Sequence, residues 1–183
     1  PGSALPEITG PVTLDATSDP DFAGQPIVRL DGFYAADEQF GLRVAGGGSL
    51  IRGFAFTRFV PGGAISVYGG SGNVIDKNFI GTDVNGTTAI PNAQGIRVSS
   101  LNNIIGGTAP SGRNVISGNQ AGVQILLGGH NTLVQGSYIG VDVTGSISVP
   151  NDFGVTAQDV LGLRIGDPVA GAGNIIANTT TGV

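Results

Sequence analysis

The 183-residue chain has no cysteine, no methionine and no tryptophan, a single histidine (His130) and a single lysine (Lys77). Without cysteine there are no disulfides, no thiolate-bound zinc, no iron–sulfur cluster and no thiol nucleophile. The lack of disulfides does not fix the compartment, because a repetitive core can hold an extracellular protein without them. Charged residues make up only 11% of the chain and the net charge is −5. No basic patch is present to neutralise phosphates, which argues against nucleic acid as a partner. No apolar run approaches the ~20 residues of a membrane-spanning helix, so membrane insertion is not expected. Pro1-Gly2-Ser3 carries no charged and apolar leader, and no signal peptide is read there.

Glycine and proline are abundant instead, with 33 and 10 residues. Such a share borders on low-complexity composition, yet Leu, Ile, Val and Phe supply about 30% of the chain, too much for disorder. A single folded, loop-punctuated domain follows. Its organisation comes from internal repeats. Ile80-Gly81-Thr82-Asp83-Val84-Asn85-Gly86 returns as Ile139-Gly140-Val141-Asp142-Val143-Thr144-Gly145, and Pro91-Asn92 returns as Pro150-Asn151, all at an offset of 59 residues (80 to 139). RNVISGNQAGV from Arg113 is matched by GNIIANTTTGV from Gly173.

That superperiod subdivides. A small-apolar-polar-apolar pattern recurs at Gly41-Leu42-Arg43-Val44, Ala64-Ile65-Ser66-Val67, Gly95-Ile96-Arg97-Val98, Gly122-Val123-Gln124-Ile125 and Gly154-Val155-Thr156-Ala157. It begins again at Gly182-Val183. Two further short apolar patches lie in each interval, for example Asn103-Ile104-Ile105-Gly106 and Asn114-Val115-Ile116-Ser117. Three short strands per turn with Gly and Asn at the corners predict an all-β, right-handed parallel β-helix of about six or seven rungs. Alternation sends Ile and Val into the bore and their neighbours towards solvent. Residues 1–40, broken by Pro6, Pro11, Pro20 and Pro26, read as irregular N-terminal rungs or a cap, and 41–183 as regular rungs of the same domain. Rungs spaced by ~4.8 Å give a rod on the order of 30 Å long. The last pattern is only two residues old at Val183, so a longer chain or a rod that stacks end to end is expected.

IRGFAFTRF from Ile51, NVIDKNFIGTDVNGTTAIPN from Asn73 and NNIIGGTAPSGRNVISGN from Asn102 resemble the β-helix repeats of large secreted or surface-anchored bacterial proteins. The likeness runs over nearly the whole chain and is similar, more remotely, to the pectin-lyase-like superfamily. It implies an extracellular or cell-surface location, and it implies function poorly, because one fold hosts many functions. The leading expectation is a non-catalytic structural or adhesive module, self-associating end to end or joined to neighbouring domains. The rival is a polysaccharide lyase, hydrolase or carbohydrate-binding module for acidic polysaccharide. Lyases and hydrolases on this scaffold need carboxylates on one outward sheet face. The outward positions here, Arg43, Ala45, Ser66, Tyr68, Arg97, Ser99, Gln124, Leu126, Thr156 and Gln158, include none. The Asn-Thr-Asp triplet and Gly-His-Gly of polygalacturonases are missing too, with Gly129-His130-Asn131 a partial echo. No catalytic residue is assigned.

Three constellations remain. Arg43, Tyr68 and Arg97 fall on three consecutive rungs of one outward face, where an aromatic between two guanidiniums suits an acidic sugar. Asp83 and Asp142 occupy equivalent places in two units; they read as turn aspartates, with Ca²⁺ as the one cofactor left open. Asn73, Asn103 and Asn131 precede strands in successive turns and read as a stacked amide ladder at one corner. Asn85-Gly86-Thr87 and Asn178-Thr179-Thr180 match the glycosylation pattern, with a structural reading favoured.

Overall fold

The computed structural model of the protein describes residues 4–35 and 39–183. The chain winds through six rungs. Rung 1 holds β1 (Thr13–Asp15), β2 (Val28–Asp31) and β3 (Phe40–Val44), and rung 2 holds β4 (Leu50–Arg52), β5 (Phe54–Thr57) and β6 (Gly63–Val67). Rung 3 holds β7 (Val74–Asp76), β8 (Phe79–Ile80) and β9 (Gln94–Val98), and rung 4 holds β10 (Ile104–Ile105), β11 (Val115–Ile116) and β12 (Ala121–Ile125). Rung 5 holds β13 (Leu133–Val134), β14 (Tyr138–Ile139) and β15 (Phe153–Ala157), and rung 6 holds β16 (Arg164–Ile165) and β17 (Ile175–Ile176).

Each strand pairs in parallel with its equivalent one rung away, building three sheets. Sheet 1 runs β1-β4-β7-β10-β13-β16, sheet 2 runs β2-β5-β8-β11-β14-β17 and sheet 3 runs β3-β6-β9-β12-β15. The fold is the right-handed parallel β-helix that the repeats predict. Ile8 also bridges Val44 in parallel, so the chain lays a strand-like segment on sheet 3 ahead of rung 1.

Register aligns like residues with like. Inside sheet 1 the column is Leu14, Ile51, Ile75, Ile105, Val134 and Ile165. Inside sheet 2 it is Leu30, Phe56, Ile80, Ile116, Ile139 and Ile176. Sheet 3 contributes Leu42, Ile65, Ile96, Val123 and Val155. These side chains form one continuous core, most of them without solvent contact. Each fully buried Ile or Val stabilises the rod by about 1.5–3 kcal/mol relative to exposure.

The outer face of sheet 2 differs from the expected solvent-facing alternation. Its column Ala55, Phe79, Val115 and Tyr138 is apolar, and the first three are buried. Two loops fold back over it, closed by antiparallel bridges at Thr82 to Ala89 and at Val141 to Ser148. Their Val84 and Val143 complete a second, external core with Ala55, Phe79 and Val115. The 59-residue repeat is thus the spacing of these flaps, placed two rungs apart. Gly86 (φ 70°) and Gly145 (φ 75°) sit where the flaps press on the sheet. A Cβ on Gly86 would lie 2.8 Å from Val143 Cβ, and one on Gly145 would lie 2.7 Å from the Tyr138 ring.

Candidate functional site

Sheet 3 presents the longest strands, and its outward column reads Arg43, Ser66, Arg97, Gln124 and Thr156. Tyr68 follows the end of β6, held by its amide to Val44 O at 3.0 Å. Arg43, Tyr68 and Arg97 do line one open depression of about 330 Å³, together with Phe40, Ser66 and Ser99. The arrangement is not the aromatic-between-guanidiniums expected from the sequence. Arg43 alone lies over the Tyr68 ring, its Cζ 5.3 Å from the centroid, and its Nη2 donates to Tyr68 Oη at 3.1 Å. Arg97 lies two rungs from Arg43, with Ser66 between them in the column.

A carboxylate does reach this face. Tyr68 Oη donates to Glu7 Oε1, brought there by the bridge from Ile8 to Val44. Burial and the Glu7 hydrogen bond push the Tyr68 phenol above its ordinary range, with Arg43 working against them. Glu7 escapes sequence reading because its partner is sixty-one residues away and the intervening segment is broken by prolines rather than patterned.

Asp83 and Asp142 each organise their own flap. Asp83 Oδ1 accepts the Thr87 and Thr88 amides at 2.9 and 3.0 Å, and Asn85 Nδ2 donates to Oδ2 at 3.2 Å. Asp142 Oδ1 accepts the Ser146 and Ile147 amides at 3.1 and 3.0 Å and the Thr144 hydroxyl at 2.7 Å. Burial alone would raise both carboxyls, but these donors outweigh it and hold both below the ordinary carboxylate range. The flaps touch, Val143 N donating to Gly86 O at 2.9 Å, while each carboxylate stays with its own turn. Ca²⁺ at either aspartate would have to compete with those amides for the same lone pairs. Among the described residues no three His, Asp or Glu side chains gather as a metal site would require.

The asparagines divide differently from the predicted ladder. Asn73 Nδ2 and N both donate to Asn103 Oδ1 at 3.0 Å, and Asn73 Oδ1 accepts the Ser49 amide at 2.9 Å. Asn131 lies outside this column. The buried residue that follows Asn103 one rung on is Thr132, and Asn131 is exposed, with φ 56°. Asn131 Nδ2 instead donates to Asn102 Oδ1 at 3.2 Å on the outer rim of the corner.

Two further ladders occupy the other corners. Asn78 stacks on Asn114, its amide donating to Asn114 Oδ1 at 2.9 Å. The third is the longest: Asn92 Nδ2 donates to Asn119 Oδ1 at 3.0 Å, and Asn119 Nδ2 to Asn151 Oδ1 at 3.2 Å. Each of these three amides also donates inward, to Phe56 O, Ile80 O and Ile116 O. The repeated Pro-Asn and Arg-Asn-Val-Ile-Ser-Gly-Asn phrases carried the signal for both.

His130 caps a corner, its Nδ1 accepting the Leu161 amide at 3.0 Å. No protein-family model, curated protein or solved structure matches the chain.

Proposed function

We propose that the chain is a non-catalytic structural and adhesive module, a stiff β-helical rod of an extracellular or cell-surface bacterial protein, remotely of the pectin-lyase-like type. One observation carries this reading. The repeated polar residues are directed into the rod itself, Asn92, Asn119 and Asn151 into a buried amide column and Asp83 and Asp142 into their own turns. A side chain whose hydrogen-bonding capacity is taken up by neighbouring rungs is rigidified, which suits load and spacing rather than proton transfer. The IGTD and RNVISGN phrases support the bacterial-surface placement by resemblance. The end strands of sheets 1 and 2, β1 and β2 at one end and β16 and β17 at the other, suit further rungs from a second copy or from neighbouring domains, because an unpaired edge is a template for another strand.

A second reading is kept for the outer face of sheet 3. The depression lined by Arg43, Tyr68 and Arg97 favours an acidic polysaccharide, bound through guanidinium–carboxylate hydrogen bonds and contact with the phenol ring. Incubation of the chain with pectate and with alginate, followed for retained polymer and for unsaturated and new reducing ends, separates the two, since retention that Arg97→Gln abolishes marks the sheet 3 face as a binding site. The structural reading expects no products; depolymerisation that Arg97→Gln abolishes would overturn it in favour of the enzyme.

A further inference from the structure

The corner between sheets 1 and 2 is uneven in height. Rung 1 turns it with residues 16–27 and rung 4 with 106–114, whereas rung 2 uses Gly53 alone and rung 3 uses Lys77 and Asn78. A cleft two rungs tall is left between the long loops. Its volume is about 190 Å³, with Phe79, Val115 and Val143 as an apolar lining and Lys77 and Arg113 as its charged groups. That is space for about six waters, and one ring-sized organic body fits it.

Both cations are held in place. Lys77 N donates to Gly112 O at 3.3 Å, and Lys77 Nζ lies 4.8 Å from the Phe22 ring centroid. Arg113 Cζ lies 4.0 Å from the Tyr138 centroid, and its Nε donates to Gly136 O at 3.2 Å. Among the described residues, ion pairs engage Arg29, Arg52, Arg58 and Arg164, but neither Lys77 nor Arg113. The neighbouring Asp76 faces Arg52, Oδ1 to Nε 3.2 Å, and the charges of Asp76 and Asp15 reach Lys77 without an ion pair. Lys77 has φ 59°, a left-handed backbone shared with Arg58, Asn102, Asn131, Asp159 and Asn178. The only lysine of an acidic chain is therefore placed in the same cleft as Arg113, which forms no ion pair among the described residues.

We infer that this cleft binds a small organic carboxylate, its acid group between Lys77 and Arg113 and its carbon skeleton on Phe79, Val115 and Val143. Two cations select the anion, and the apolar lining rejects a bare inorganic ion in favour of one with a hydrocarbon body. The site lies on the outer face of sheet 2, separate from the depression on sheet 3, and its outcome does not depend on the structural reading above.

Benzoate, benzyl alcohol and inorganic phosphate are titrated separately into the intact chain, followed by amide chemical shifts in two-dimensional nitrogen–proton spectra. Benzoate should move the Lys77, Arg113, Val115 and Val143 amides saturably, with benzyl alcohol and phosphate at least about tenfold weaker. Lys77→Gln should weaken benzoate about tenfold while leaving the rest of the spectrum in place, and Arg164→Gln, on a different ion pair, should not change it. Failure of benzoate to shift those amides would overturn the inference. So would equal shifts from benzyl alcohol, which would mean an apolar crevice without charge selection, or equal shifts from phosphate, which would mean an anion site without an organic preference.

Discussion

Buried asparagine is costly unless both its donors and its acceptor are used. Asn119 uses them all: Oδ1 accepts from Asn92, and Nδ2 donates to Asn151 Oδ1 and Ile80 O. Replacing it by alanine removes hydrogen bonds to groups on the rungs above and below, so Asn119→Ala should lose about 2–3 kcal/mol of unfolding free energy in urea. Asn131→Ala, on the exposed rim, should lose less than about 1 kcal/mol. Equal losses at the two positions would mean that Asn131 belongs to a ladder after all.

The flap aspartates make stability depend on pH. In the folded rod both carboxyls are held below the ordinary value of about 3.9, so the turns add stability above that pH. They lose it as pH falls through the lower folded value. Asp76 works the other way, since burial raises its carboxyl and protonation in acid relieves it. Asp142→Asn keeps an acceptor oxygen but loses the charge, and should cost about 1 kcal/mol at pH 7. Its deficit relative to the unsubstituted chain should narrow as pH drops below about 4, read from denaturant midpoints at each pH. A deficit that stays constant with pH would show that the charge is not what holds the turn.

At the scale of elements, the strands are too short to stand alone, several of them only two residues long. They persist because those inside the stack are paired on both sides and backed by the core column. The interval of 23 to 32 residues between anchors such as Leu42, Ile65, Ile96 and Val123 makes the winding legible in the sequence, since one apolar-polar-apolar phrase recurs per turn. The strand positions within it follow from alternation. The flaps were legible only as a repeated phrase. That Phe79 and Tyr138 face outward beneath Gly86 and Gly145 depends on a loop folding back over its own sheet, which no periodicity encodes. The same limit hid Glu7 beside Tyr68. Gly145→Ala puts a Cβ into the Tyr138 ring at a left-handed backbone, and should lower stability by about 1–2 kcal/mol, seen as a reduced melting temperature. An unchanged melting temperature would mean that the flap is not packed on sheet 2.

On the scale of the whole molecule, the rod is a stack in which each strand pairs only with its equivalents in the adjacent rungs, while the flaps of rungs 3 and 5 also touch. Ile116 belongs to the central rung 4 and has no solvent contact. Ile116→Ala should cost about 2–5 kcal/mol by leaving a cavity that paired strands cannot close. The direction of the buried amides, up and down the rod rather than towards a cleft, is what supports the proposed structural role. On the proposed structural reading, its terminal strand edges are where such a rod would extend. Electron microscopy of the purified chain over rising concentration tests that claim most directly. The expected result is thin rods joined end to end and lengthening with concentration; isolated particles at every concentration would contradict it.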